Sequence, residues 1–333
     1  MLNNSFSFFT NLLNIILAGL ITFFAYPLVN KIGLRLGIID KPSPRKQHHS
    51  PKVRIGGITI ILGYITVLLL NIFTGFLGNS NFLQNSQIIC IIFGGIIMFF
   101  VGLTDDIKGT SPWTRLFFQF IIASFLWSKG LTLNSINLTS LGFLDLSFNL
   151  NQFLSYLLTV LWLVGITNAF NWIDGLDGLA SGVSLISALS FSIVFFKIEA
   201  YQFVFLSSLI LGTSLGFLMN NYYPAKIFMG DGGAYFLGFS LGAMALYSPN
   251  IDISNKPFLP CVLILMFPLI DMASVILRRI AQGRSPFYPD KTHFHHFLMN
   301  KGFNHKKTVL ALHCLSIIFS ITALALIHYS SSS

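Results

Sequence analysis

Ten apolar stretches, centred near Leu20, Leu69, Phe99, Ile122, Val160, Ala188, Ile210, Gly242, Leu265 and Ile318, leave this chain little choice of solvent. A spanning helix needs about 20 mostly apolar residues, and each stretch comes close to that length. In lipid, every backbone N–H and C=O must be satisfied inside the segment that carries it, which favours helix throughout. The expected fold is therefore all-α, a polytopic integral membrane protein with about ten transmembrane helices, its residues 1–333 forming one domain. Only 9% of the residues are charged and mean hydropathy is +0.74, values that exclude an ordinary soluble domain.

The basic residues test that count, because Lys and Arg gather in cytoplasmic loops. With both termini outside, the inner segments are 31–54, 105–115, 168–178, 220–232 and 278–307. They hold 17 of the 20 Lys and Arg residues, leaving only Lys129, Lys197 and Lys256 outside. The net charge of +9 is then a matter of orientation and calls for no nucleic-acid partner. Seven of the 11 acids fall in the same inner segments, and ten of the 11 are aspartates. Cys90, Cys261 and Cys314 lie in separate spans and suggest packing, neither a disulfide framework nor a metal site. The first span lacks a basic flank and a small-residue cleavage pattern, so it reads as retained.

Within the inner segments one run is conspicuously polar: Asn168-Ala-Phe-Asn171-Trp-Ile-Asp174-Gly-Leu-Asp177-Gly-Leu179. On a helix, a spacing of three keeps Asn168, Asn171, Asp174 and Asp177 near one face, able to converge on one partner. Gly175 and Gly178 would let a ligand or a bent backbone come close. Asp105-Asp106 ends the third span, and adjacent carboxylates beside lipid need a cation or a shared proton. Magnesium suits them, because it takes carboxylate oxygens together with substrate phosphates.

Four further segments complete the polar set. The loop from Gly37 to Gly57 carries Arg45, Lys46 and His48 among three prolines, and its bases could grip phosphate. Asn220-Asn221 precedes Phe228-Met-Gly230-Asp231-Gly-Gly, whose free N–H groups before a helix suit an anion, with Asp231 holding a bridging cation. His293, His295 and His296 fall within four residues and could serve as zinc ligands or phosphate donors, zinc being the less attractive with no cysteine nearby. Asp271 lies roughly 10 Å along a helix from Arg278, either functional at that depth or a hydrogen-bonded structural acid. The outer segment 131–150 alternates in polarity and predicts a small β-hairpin or irregular cap.

Five of these motifs, in this order, resemble those of the polyprenyl-phosphate N-acetylhexosamine-1-phosphate transferases: Arg45-Lys46-x-His48 with Gly56-Gly57, Asp105-Asp106, the 168–179 run, Phe228-Met-Gly-Asp231, and His293-x-His-His. The arrangement is similar to the branch using small UDP-sugars, typified by the UDP-GlcNAc enzymes. The resemblance implies transfer of a HexNAc 1-phosphate from a UDP-N-acetylhexosamine to undecaprenyl phosphate, releasing UMP and initiating a cell-surface glycan at the cytoplasmic face of a bacterial inner membrane. It implies magnesium, with manganese as a substitute, and Asp231 as metal ligand. Asp105 would orient or deprotonate the lipid phosphate with Asp106 assisting. Asn171, Asp174 and Asp177 would position nucleotide and diphosphate, Phe228 would stack on uracil, and the three histidines would hold phosphate or sugar. Asn168 and Asn221 are expected at the substrate side, and Arg45, Lys46 and His48 at the lipid phosphate. The partners are those two substrates and membrane lipid, and a homodimer is compatible. Two departures stand out: Gly109 where the family often has a further acid, and Ala234 where a serine is usual.

Two rivals predict other features. A secondary transporter for an anionic solute would place charges at the bilayer midplane within repeated broken helices, and only Asp271 fits. A CDP-alcohol phosphotransferase would follow its Asp-Gly signature with Ala-Arg, where this chain has Leu179-Ala180-Ser181.

Overall fold

The computed structural model describes residues 2–41, 51–74, 85–137, 147–247, 258–285 and 293–330. Arg45, Lys46 and His48 lie outside the described residues. Twelve helices account for most of the described chain: α1 (Leu2–Arg35), α2 (Gly57–Thr74), α3 (Ser86–Lys108), α4 (Pro112–Ser128), α5 (Gln152–Ile173), α6 (Leu179–Lys197), α7 (Tyr201–Asn221), α8 (Gly230–Ala245), α9 (Phe258–Ile264), α10 (Met266–Ala281), α11 (Phe294–Asn300) and α12 (His305–Ser330). Two short antiparallel ladders join them, β1 (Ile39–Asp40) with β2 (Lys52–Val53) and β3 (Ser135–Asn137) with β4 (Ser147–Asn149). The second ladder lies within the segment 131–150, for which the alternation in polarity predicts a small hairpin or an irregular cap.

Seven of these helices are long and apolar enough to cross a membrane, or eight if α9 and α10 count as one broken span. All ten expected centres fall on helix or, for Leu265, between α9 and α10. The difference in number comes from α4 and α8, which have 17 and 16 residues. The bend of 71° between α9 and α10 has a direct cause. Pro268 has no N–H to give the carbonyl four residues earlier, so the ladder breaks behind it.

Start signals in the sequence act as expected. Asn85, Ser111 and Asn151 cap α3, α4 and α5 with side-chain oxygens, and Pro112 follows Ser111 at the first helical position. In the bundle, α1 packs on α7, α3 and α5 on α8, and α6 on α7 and α12. Lipid gives no hydrophobic gain for bringing helices together, so small residues must supply close packing. A Cβ at Gly212 or Gly216 of α7 would run into the backbone of Ile15 or Gly19 of α1. Conversely, Phe24, Leu28, Phe117 and Leu310 are among the large side chains left on the outer surface.

Pro27 lies inside α1 and deprives the Phe23 carbonyl of its helical donor. The side chain of Asn220, at the end of α7, fills that place with an Nδ2–H···O=C bond of 3.1 Å.

Candidate active site

The ends of α3, α5 and α7 and the starts of α4, α8, α11 and α12 meet around one polar region. At its centre Arg115, in the first turn of α4, uses one nitrogen, Nη1, for two carboxylates. It donates to Asp105 Oδ2 at 2.8 Å and to Asp231 Oδ2 at 2.9 Å. The remaining oxygen of each acid is held independently. Thr110 gives Asp105 Oδ1 both its backbone N–H and its hydroxyl, at 2.6 Å each, while Asn171 Nδ2 donates to Asp231 Oδ1 at 2.8 Å. Both carboxylates are thus fixed in direction, and their free oxygens converge on one cation.

Asp106 turns elsewhere. Its oxygens accept the N–H groups of Asp231 and Gly232, each at 3.0 Å, closing the first turn of α8, and Arg54 Nη2 reaches it at 3.2 Å. Arg54 belongs to an extended strip stitched to the start of α8: Phe228 N–H donates to Val53 O, Gly56 N–H to Phe228 O, and Gly57 N–H to Met229 O. Such contact requires glycine on several sides. A Cβ at Gly57 would strike Gly233, one at Gly102 would strike the Asp231 and Gly232 backbone, and Gly230 sits at φ +73° against Arg54 and Asp106. The Gly-Asp-Gly-Gly and Gly56-Gly57 motifs are therefore two sides of one close backbone contact.

The 168–179 run does not hold a single face. Helix α5 stops at Ile173, Asp174 is its cap, and Gly178 adopts φ +81°, so only Asn168 and Asn171 are helical. Asn168 pairs with buried Gln119 of α4 through Nδ2–H···Oε1 at 2.6 Å, away from the carboxylates. Asp177 Oδ2 accepts the Ala225 N–H at 2.9 Å, and its own N–H donates to His305 Nε2 at 3.2 Å. Asn221, 2% exposed, accepts from Gly178 N–H and Ser181 Oγ and donates to Ile227 O. Asn168 and Asn221 thus hold helices and loops together through the bonds they make here. Asp174 keeps part of its surface open. Burial, and then the charges of Asp231, Asp106 and Asp177, hold its carboxyl well above the usual range.

The histidine segment closes over this loop. Asp271 Oδ1 accepts the Phe294 N–H at 2.7 Å, and Oδ2 lies 2.7 Å from His293 Nδ1. The acid on which the transporter reading rested is therefore committed to the histidine segment. His293 stands edge-on to Trp172, whose other neighbour is the Arg279 guanidinium 4.9 Å from the ring centre. His295 stacks with His293 and packs against Gly175, where a Cβ would come within 2.9 Å of its ring. Burial, followed by the facing His296 and His293, lowers the His295 imidazole to about 3.

Phe228 is half-buried beside the Arg54 strip. Residues that the sequence reading passed over include Arg115, Thr110, Gln119 and His305. Arg115 and His305 stand in inner segments, where each counts equally well as an orientation charge or a loop residue.

The donor set suits a hard divalent ion that draws on few protein ligands. Among the described residues no three His, Cys, Asp or Glu side chains are placed to hold a metal. Two fixed carboxylates already share a positive group, and magnesium is commonly held by one or two carboxylates, with waters and substrate phosphates completing its shell.

The comparisons with known proteins place the chain among relatives. A family model described as glycosyl transferase family 4 matches residues 88–249. A probable undecaprenyl-phosphate N-acetylglucosaminyl 1-phosphate transferase of Bacillus subtilis is 35% identical over 300 residues, covering 90% of this chain and 80% of that protein. The chain belongs to this family. A decaprenyl-phosphate N-acetylglucosaminephosphotransferase of Mycolicibacterium smegmatis is 33% identical, over 89% of this chain and 77% of its own length. An undecaprenyl-phosphate alpha-N-acetylglucosaminyl 1-phosphate transferase of Salmonella typhimurium is 27% identical over 86% and 75%. The member described here is an integral membrane phosphotransferase, and among the described residues Asp105-Asp106, the 168–179 run, Phe228–Asp231 and His293–His296 fall where the helix ends meet.

Proposed function

We propose that the chain transfers N-acetylhexosamine 1-phosphate, with N-acetylglucosamine as the sugar, from its UDP donor to undecaprenyl phosphate. An oxygen of the lipid phosphate attacks the β-phosphorus. The bond from that phosphorus to the bridging oxygen breaks, and UMP leaves with the electron pair. The observation that carries this reading is the pair of fixed carboxylates, Asp105 and Asp231, whose oxygens meet at one cation between α3 and α8. All three relatives are named for N-acetylglucosamine phosphate transfer to a polyprenyl phosphate, undecaprenyl in the Bacillus and Salmonella proteins, which supports the sugar and the lipid acceptor.

In this reading Asp231 is the principal ligand of magnesium, or of manganese in its place, with Asn171 fixing its direction. The bound ion would neutralise developing charge on the phosphoryl oxygens. Asp105 orients the lipid phosphate and accepts its proton when it is protonated. Asp106 assists from behind by holding the first turn of α8 in place. Asp174 and Asp177 face the nucleotide and diphosphate, Phe228 takes the uracil ring, and His293, His295 and His296 line the sugar side. Arg45, Lys46 and His48 meet the lipid phosphate.

The remaining elements belong to the same proposal. The chain is one transferase domain with ten membrane crossings, counting α4, α8 and the bent pair α9–α10. Both termini face outward, the β3–β4 hairpin lies on the outer side, and the site opens to the cytoplasm of a bacterial inner membrane. Lys108, Arg115 and Arg279 stand at the site ends of α3, α4 and α10, and these bases support that orientation against the two lysines, Lys129 and Lys197, at the far ends of α4 and α6.

Purified protein, undecaprenyl phosphate and magnesium, offered a panel of UDP-sugars, tests this directly by release of UMP. UDP-N-acetylglucosamine is expected to give the fastest release, and absence of UMP with every sugar would overturn the reading.

A further inference from the structure

Two carboxylates pinned at their far oxygens and aimed at a common point would repel each other unless something positive stood there. Here the positive group belongs to the chain. Arg115 Nη1 contacts Asp105 Oδ2 and Asp231 Oδ2 together. Neither acid depends on the guanidinium for its own direction, because Thr110 fixes one and Asn171 fixes the other. Removing the arginine charge would therefore leave two oriented acids facing a shared position, which is a divalent cation site. The side chains of Arg115, Asp105 and Asp231 are 23%, 11% and 18% exposed, so the cluster remains open to an incoming ion.

We propose that Arg115 is a built-in stand-in cation which competes with the divalent metal for Asp231 and Asp105 and yields only when substrate phosphates arrive. This rests on the assignment of Asp231 as metal ligand. In the free protein the guanidinium neutralises the pair and keeps metal affinity low. A nucleotide diphosphate changes the balance in two ways. Its oxygens help hold the metal, and they give the displaced guanidinium a new bidentate partner, which a planar fork satisfies well. Metal and nucleotide then bind with positive coupling, and typical couplings between two ligands are about 5- to 150-fold. The reaction centre is thereby loaded with metal chiefly when a donor substrate is present.

The geometry supports movement of the arginine alone. Ser111 and Pro112 start α4 in a fixed place, and Thr110 ties that turn to Asp105, so the stem of Arg115 is anchored while its tip is shared. The tip carries the donors that can exchange one anionic partner for another. Lysine at this position would preserve charge but offer only a point contact.

The experiment measures manganese binding by electron paramagnetic resonance in detergent, with and without UDP-N-acetylglucosamine, for the wild type and for Arg115→Met, Arg115→Lys and Asp231→Asn, each checked for an intact thermal transition. In the wild type, nucleotide should tighten manganese binding by about 5- to 150-fold. Arg115→Met should bind manganese about tenfold or more tightly without nucleotide, and its coupling to nucleotide should shrink by the same factor. Arg115→Lys should fall between, which keeps the test decisive if the methionine variant fails to fold. Unchanged manganese affinity in both arginine variants, with binding lost in Asp231→Asn, would overturn the stand-in cation and leave the metal assignment intact. Wild-type manganese binding in Asp231→Asn would overturn the metal assignment itself.

Discussion

Asp231 and Asp106 are joined through a backbone donor: the Asp231 N–H gives its hydrogen to Asp106 Oδ1 at 3.0 Å. Gly232 does the same for Oδ2. A carboxylate from α3 thus caps α8, and the acid that begins α8 is positioned by its neighbour in sequence to Asp105. Removing a helix cap costs about 0.5–2 kcal/mol. Thermal stability and transfer rate should fall together in the order wild type, Asp106→Asn, Asp106→Ala, since the amide can still accept one hydrogen bond. Unaltered stability in Asp106→Ala would exclude the capping role.

Asn171 acts on Asp231 from the other side. Groups that orient a metal ligand typically cost about 10- to 100-fold in metal affinity or activity when removed. Asn171→Ala should raise the magnesium concentration needed for half-maximal UMP release within that range. Asn171→Asp should be worse, because a second acid would face Asp231 without a donor between them. A magnesium titration of both variants checks the order.

Gly102 marks the point where α3 passes the start of α8. The methyl of Gly102→Ala would press on the backbone of Asp231 and Gly232. Backbone cannot rotate away as a side chain can, and overpacking costs about 1–3 kcal/mol. Lower thermal stability is expected, with a larger fractional loss of activity than Gly165→Ala, whose added methyl meets only the tip of Met272. Equal behaviour of the two variants would argue against a close crossing at Gly102.

His295 makes stability depend on acid. It is 4% exposed and, when folded, stays neutral down to about pH 3. The unfolded chain takes up a proton near pH 6.5, so this contribution is complete above that pH and is lost as acid is added. Between the two values each pH unit removes about 1.4 kcal/mol. Unfolding of the wild type should ease between pH 7.5 and 5.5 by more than unfolding of His295→Gln. Parallel pH profiles would rule out this histidine as a source of acid sensitivity.

The helical plan was legible because chain length across lipid and apolar runs constrain each other. All ten centres find helical segments or the break between two, and Pro268 in the sequence already marks that break. The carboxylate motifs were legible too, since acids beside lipid need a partner. What the sequence hid was the partner's identity. Arg115 looks like any inside-facing positive charge until the turn at Gly109 and Thr110 brings it back over Asp105. Spacing likewise misled at Asn168, where a three-residue period fits a ligand-facing stripe, yet the helix ends at Ile173 and the amide meets Gln119. Asn221 belongs with it, a polar residue whose three bonds all go to neighbouring chain.

The bond from Asn220 to the Phe23 carbonyl joins residues 197 positions apart. A ribosome feeding this chain into a bilayer delivers α1 long before α7, and an unsatisfied carbonyl in hydrocarbon is costly. Until α7 arrives, the Pro27 turn of α1 must borrow water or lipid headgroups. Helix α1 therefore cannot reach its final setting until α7 has been inserted beside it, and the amide of Asn220 sets that order.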